Sequence, residues 1–130
     1  MKRATLSSAK KKAWKQFSLY IRLSAANEFG LIQCYTCPAR SHYKEMQAGH
    51  WVEGHSNVVY INEDYVRPQC ASCNIFHKGR QGEFRDLIRK ELGDARVEEL
   101  LIESKQIKKI SIQDYMDLEN KYKDLIKELV

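Results

Sequence analysis

The chain has 130 residues, 43% hydrophobic and 30% charged, ordinary fractions for one folded domain with a small core, where a structural metal adds useful stability. No apolar run is long enough to cross a bilayer and the basic N-terminus lacks the apolar stretch of a signal peptide, which argues against membrane and secreted classes and for an intracellular setting. The net charge of +5 is uneven: residues 1–24 hold seven Lys or Arg and no acid, residues 25–80 five of each sign, and residues 81–130 ten basic and twelve acidic groups.

Residues 1–30 read as a basic N-terminal helix. From Ser8 to Phe29 the apolar residues Trp14, Phe17, Ile21 and Ala25 recur at three- and four-residue steps, and Gly30 is a plausible stop. Lys10, Lys11, Lys12 and Lys15 lie between them. They read equally well as a phosphate-binding patch and as a solvated face.

Residues 31–80 differ in kind. They hold all four cysteines, all four histidines and both prolines. Leu31–Cys34 reads as a short strand, Met46–Val52 and Val58–Ile61 as further extended runs, and Asn74–His77 as the first turn of a helix. Residues 81–130 are helical again. Phe84, Leu87, Ile88 and Leu92 share a face that Gly93 ends; Asp94 is placed to cap the next helix, which buries Val97, Leu100 and Leu101. Ser111 with Asp114 resembles a capping box. Tyr115, Leu118, Tyr122, Leu125 and Leu129 then form a packing seam, read as intramolecular, with a homodimer contact as the alternative.

The strongest signal is the pair of C-x-x-C knuckles, Cys34–Cys37 and Cys70–Cys73. Two knuckles complete a tetrahedral four-sulfur shell, the closed geometry of a structural Zn2+ site. An intracellular chain argues against disulfides, and a second knuckle argues against a lone redox pair.

His50 sits within the loop that the knuckles close, Asn74 follows the fourth cysteine, and His77 lies three residues on. On a helix Asn74 and His77 share a face, which the metal would hold opposite His50. Such an arrangement suits phosphodiester hydrolysis: an imidazole near neutral pKa takes a proton from water, and a hard divalent ion on Asn74 and His77 offsets charge on the phosphate. The plainer readings are a structural histidine at His50, a helix cap at Asn74 and a surface residue at His77. His42 is left unassigned.

These residues resemble a known family. The order C-x-x-C, Gln47-Ala48-Gly49-His50, Pro68-Gln69-Cys70-Ala71-Ser72-Cys73-Asn74 is similar to the HNH (ββα-metal) nucleases, and most to the phage recombination proteins known as NinG or Rap. The likeness extends from Trp14 through Gly82, Phe84, Leu87 and Gly93 to the helical end. It implies an α+β fold: a small ββα-metal zinc-knuckle core with an N-terminal helix and a C-terminal helical extension. It implies an endonuclease cutting Holliday junctions, D-loops and similar branched DNA with Mg2+ or Mn2+, in the cytoplasm of a phage-infected or prophage-carrying bacterial host. By position His50 takes the general-base role and Asn74 that of catalytic-metal ligand. The chain departs from the HNH pattern in having Gly49 where many members carry Asp, and Tyr65 where a loop-bracing Asn is usual. Asn62 or Asp64 is the candidate replacement brace, and His77 the extra ligand.

Two functions are compatible with these features: a metal-dependent, structure-selective DNA endonuclease, and a zinc-knuckle module that binds branched or single-stranded DNA without cutting it. A protein–protein adaptor built on the last helix is weaker. Candidate phosphate contacts are Lys10, Lys11, Lys12, Lys15, Arg67, Lys78 and Arg80, with His55 as a substrate contact.

Overall fold

The computed structural model describes residues 4–54 and 56–129. Its elements run α1 (Leu6–Ala25), β1 (Leu31–Gln33), β2 (Arg40–His42), β3 (Gln47–His50), β4 (Val66–Gln69), α2 (Gln81–Leu92), α3 (Asp94–Glu103) and α4 (Ile112–Leu129). The chain is thus a mixed structure of helices and two small antiparallel sheets, β1–β2 and β3–β4, with four cysteines clustered beside them. No helix among the described residues is long and apolar enough to cross a membrane.

Helix α1 begins in a capping box: Thr5 Oγ1 accepts from Ser8 N at 3.1 Å, and Ser8 Oγ accepts from Thr5 N at 3.2 Å. It buries Ala9, Ala13, Phe17 and Ile21 at four-residue steps. The helix stops at Ala25, short of the expected Phe29, because the next residues have better local partners. Asn27 Oδ1 accepts from Phe29 N and Leu31 N at 2.9 and 3.0 Å, and Gly30, at φ +77°, turns the chain into β1.

The β1–β2 hairpin pairs Leu31 with His42 and Gln33 with Arg40, and carries the first knuckle at its tip. In the second sheet Gln47 pairs with Gln69, Gly49 with Arg67 and His50 with Val66. β2 and β4 carry no alternating apolar pattern, so periodicity does not mark them as strands. The expected extended run Val58–Ile61 is instead a turn: the amides of Val59 and Tyr60 both bond Ser56 O at 2.9 Å. Ser56 Oγ and Asn57 Nδ2 tie that turn to the carbonyls of Ser104 and Lys108, so tertiary anchors override the local β preference.

After Cys73 the chain forms a π-helical turn, Ser72–Phe76, and not the expected α-helical first turn. The wide i→i+5 bond from His77 N to Ser72 O measures 2.9 Å. Lys78, Gly79 and Arg80 all then adopt positive φ before α2 starts. α2 buries Phe84 and Ile88 and ends at Gly93, φ +89°. Gly93, not Asp94, occupies the cap of α3. The Asp94 carboxylate turns to Arg89 at 3.3 Å instead. The Ser111–Asp114 box is present, with reciprocal bonds of 2.9 and 3.0 Å.

α4 lies along α1. Tyr122 meets the rings of Phe17 and Tyr20 with centroids 5.0 and 5.2 Å apart, while Tyr115 packs on Ala9 and Ala13. The expected seam therefore packs within the chain at its tyrosines, although Leu129 remains exposed. The main core joins Phe17, Ile21, Trp51, Tyr65, Phe84, Ile88, Val97, Leu100 and Tyr122. Its three buried polar tips are satisfied. Trp51 Nε1 donates to Asp64 O at 2.8 Å, Tyr65 OH to Leu100 O at 2.8 Å and Tyr122 OH to Glu63 at 3.1 Å. Together these bonds fasten segment 58–66, the loop that faces the site.

Candidate functional site

The knuckle Cys34–Cys37 reaches the second knuckle because Tyr35 N donates to Pro68 O at 2.9 Å, joining the hairpin tip to β4. All four sulfurs lie within 4.8 Å of one another, and Cys37 and Cys70 are 3.7 Å apart. A zinc tetrahedron with Zn–S bonds of about 2.3 Å has sulfur–sulfur edges of about 3.8 Å. The cysteines are free of disulfides and positioned to hold a metal ion.

The local field suits that role. Burial pushes the Cys34 thiol up, but hydrogen bonds from the Cys70 and Thr36 backbones and the Thr36 side chain outweigh it and hold Cys34 at about 6. Burial pushes Cys37 up to about 12 and raises Cys70 as well. A bound cation would relieve the cost of carrying four thiolates together. Arg80 Nε also donates to Cys73 Sγ at 3.0 Å, so this arginine serves the metal centre.

Beside the centre lies a cleft of about 490 Å³, lined among others by Trp14, His50, Tyr60, Asn74, Lys78 and Gln81. A second hollow, about 310 Å³, shares Trp14, Ala48 and Asn74 and adds Ser18, Arg22, Met46 and Gln47. Asn74 thus stands where the two hollows meet, and His50 and Asn74 line the same cleft.

His50 ends β3 and is 8% exposed. Its Nε2 lies 2.9 Å from Tyr60 O. A carbonyl only accepts, so Nε2 carries a proton and donates this bond. Asn62 shapes the loop that carries Tyr60: its Nδ2 donates to Val58 O at 3.1 Å and its Oδ1 accepts from Asp64 N at 3.0 Å. Asn62 therefore braces the loop, while the Asp64 carboxylate is turned to Arg96 at 3.2 Å. Trp14 stacks on both His50 and Tyr60, with centroids 5.3 and 4.7 Å away, and this fixes the imidazole plane.

Asn74 does not cap the π turn. Its Nδ2 donates to Gln47 Oε1 at 2.7 Å, which leaves Oδ1 as the atom able to meet a cation. Gly49 explains one departure from the HNH pattern. A Cβ there would overlap Gln69 Oε1, lie 2.8 Å from Gln69 Cδ and sit 3.1 Å from Asn74 Oδ1. No carboxylate side chain fits at this position. Gln69 is wholly buried, and its Nε2 donates to Thr36 Oγ1 and Gly79 O, both at 2.9 Å. One side chain thereby links the first knuckle, the floor of the cleft and the entry to α2.

The other candidates divide. Lys78 lines the cleft, and Lys10 Nζ lies over the ring of the cleft residue Tyr60, 4.6 Å from its centroid. Lys11, Lys12 and Lys15 are exposed on α1 and line neither hollow. The Arg67 guanidinium is committed to Glu91 and to the carbonyls of Glu63 and Val66. His77 is exposed and lines neither hollow, because the π turn carries it past the face that an α-helix would give it. His42 Nδ1 accepts from Lys44 N at 3.3 Å. His55 lies outside the described residues.

Trp14, Tyr60, Gln47, Gln69 and Gln81 take part in the site but were not read as candidates. Trp14 passes for one more apolar residue of a helix face; Gln47 and Gln69 stand in the motifs of the resemblance with no role of their own, and no local signal marks Gln81. Gln81 Nε2 donates to His50 O at 2.8 Å, tying the end of β3 to the start of α2.

No curated protein and no solved structure matches the chain significantly. A family profile described as Bacteriophage Lambda NinG protein matches residues 2–130. Since that match spans essentially the whole sequence that builds the four-cysteine centre and the cleft, the chain belongs to the bacteriophage Lambda NinG protein family.

Proposed function

We propose that this protein is a metal-dependent DNA endonuclease with an HNH-like ββα core, acting on branched recombination intermediates. The observation that carries the reading is that His50 and Asn74 line one cleft, each oriented by its own anchor, Tyr60 O and Gln47 Oε1. A β3–β4 pair followed directly by the cysteine-bearing turn supports the ββα comparison.

In this reading Zn2+ occupies the four-cysteine centre and has no open position for chemistry. Asn74 Oδ1 would hold a second ion, for which Mg2+ or Mn2+ suits an oxygen donor. That ion would offset the negative charge that develops on the phosphate and the departing 3′ oxygen. His50 Nδ1 takes a proton from the attacking water, and the Nε2–H bond to Tyr60 O stabilises the imidazolium that results. Lys10 and Lys78 hold the flanking phosphates.

The alternative is a zinc-knuckle module that binds branched or single-stranded DNA without cutting. It is favoured by Gly49, which bars a carboxylate ligand, and by His77, which stands outside the cleft. The test offers a four-way junction and a linear duplex of equal length, with Mg2+ or Mn2+, to wild type and Asn74→Ala. The junction is expected to be cut by wild type and spared by the variant. Junction binding without cutting under either ion would establish the binding module instead.

A further inference from the structure

The π turn that carries Asn74 into the cleft also presents two large apolar side chains to solvent: Ile75 is 57% and Phe76 79% exposed. Among the described residues neither joins a hydrophobic cluster of the core. Asn74, one residue before the pair, and Lys78, two residues after it, both line the cleft, so the turn that bears Phe76 borders it. Lys78 and Arg80 then adopt φ values of 51° and 47° around Gly79, a conformation that is costly for residues with a Cβ. A π turn and a strained exit are features that proteins keep where a segment must be aimed. Arg80 is turned to Cys73 Sγ, whereas Lys78 is exposed and lines the cleft beside the pair. Its positive charge suits the phosphates of a strand lying there.

Resting on the nuclease reading, we infer that Phe76, with Ile75 beside it, is a base-stacking element for an unpaired nucleobase of a DNA strand lying in the cleft. Bases paired within a duplex keep their faces covered, whereas a base at a flap or branch offers one. Phe76 thereby gives the protein a means of distinguishing branched from linear DNA, for which its sequence holds no local motif.

The test is a binding titration of metal-centre-loaded protein with no added Mg2+ or Mn2+. It compares a duplex bearing a short single-stranded flap with a fully paired duplex of equal length. Phe76→Ala is expected to weaken flap binding about tenfold, the scale of one base stacked on an aromatic ring, and to change duplex binding less than twofold. Phe76→Trp is expected to restore the preference, and 2-aminopurine placed at the flap base to report the contact only when residue 76 is aromatic. Equal losses on both DNAs, no loss on either, no wild-type preference for the flap, or a change of oligomeric state in Phe76→Ala would overturn the inference. Cleavage, assayed separately with Mg2+ or Mn2+, distinguishes the two readings. A protein that shows the Phe76 preference but cuts nothing loses the nuclease reading alone. One that cuts but shows no Phe76 dependence loses the stacking element alone.

Discussion

Gly49→Ala is the sharpest perturbation the structure offers. The added methyl would overlap Gln69 Oε1 and lie 2.8 Å from Gln69 Cδ. Gln69 has no room to yield, since it is fully buried and its amide is tied to Thr36 and Gly79. Forcing it aside breaks two hydrogen bonds, each worth about 1 kcal/mol net, and adds overpacking of about 1–3 kcal/mol. A total of about 3–5 kcal/mol corresponds to a fall in Tm of roughly 10–20 °C for a domain of this size. Gly82→Ala is the matched control. Gly82 lies in α2, and a Cβ there meets nothing within 4 Å. It should be neutral or stabilise by about 0.5 kcal/mol. Thermal melts of the three metal-loaded proteins decide the matter. Gly49→Ala melting with wild type would show that Gly49 and Gln69 are not packed as described.

Chelation should abolish the cooperative melt, because metal binding on the order of 10–16 kcal/mol exceeds the net stability of a small domain; metal analysis should find about one zinc per chain before chelation and none in Cys70→Ser. An apoprotein that melts like the loaded form would contradict this. Stability should also fall in acid. The hydrogen bond from Arg67 holds Glu91 below the usual carboxylate range, burial opposes that shift, and Tyr35 adds to it. The contribution of Glu91 is therefore complete above the unfolded carboxylate pKa and lost as pH falls through the lower folded value. The stability gap between wild type and Glu91→Gln should accordingly be widest near neutral pH and close in acid, as followed by denaturant melts; a gap independent of pH would refute the assignment.

The features legible in the sequence are those fixed by short spacing. The C-x-x-C pairs announce a metal cluster because a knuckle is a local structure, and the Ser111–Asp114 box is visible because capping spans three residues. The seam at Tyr115 and Tyr122 shows in helical periodicity, though not the partner α1. What escaped depends on the tertiary neighbourhood. Val58–Ile61 has strand-forming residues, yet Ser56 and Asn57 bind the carbonyls of the α3–α4 connection and hold it as a turn. His77 has α-helical spacing from Asn74, yet the turn is π-helical. Gly49 reads as a missing ligand until Gln69 is seen filling the space above it. Trp14 reads as core until its ring is found stacked on His50.

The most direct measurement is single-turnover cleavage of a four-way junction by wild type and His50→Ala, with folding and metal content checked in both. If His50 Nδ1 takes the proton of the attacking water, the variant should bind the junction normally and cut it slower by on the order of 10²–10⁴. Cleavage by His50→Ala at the wild-type rate would remove this histidine from the chemistry and, with it, the enzymatic reading of the cleft.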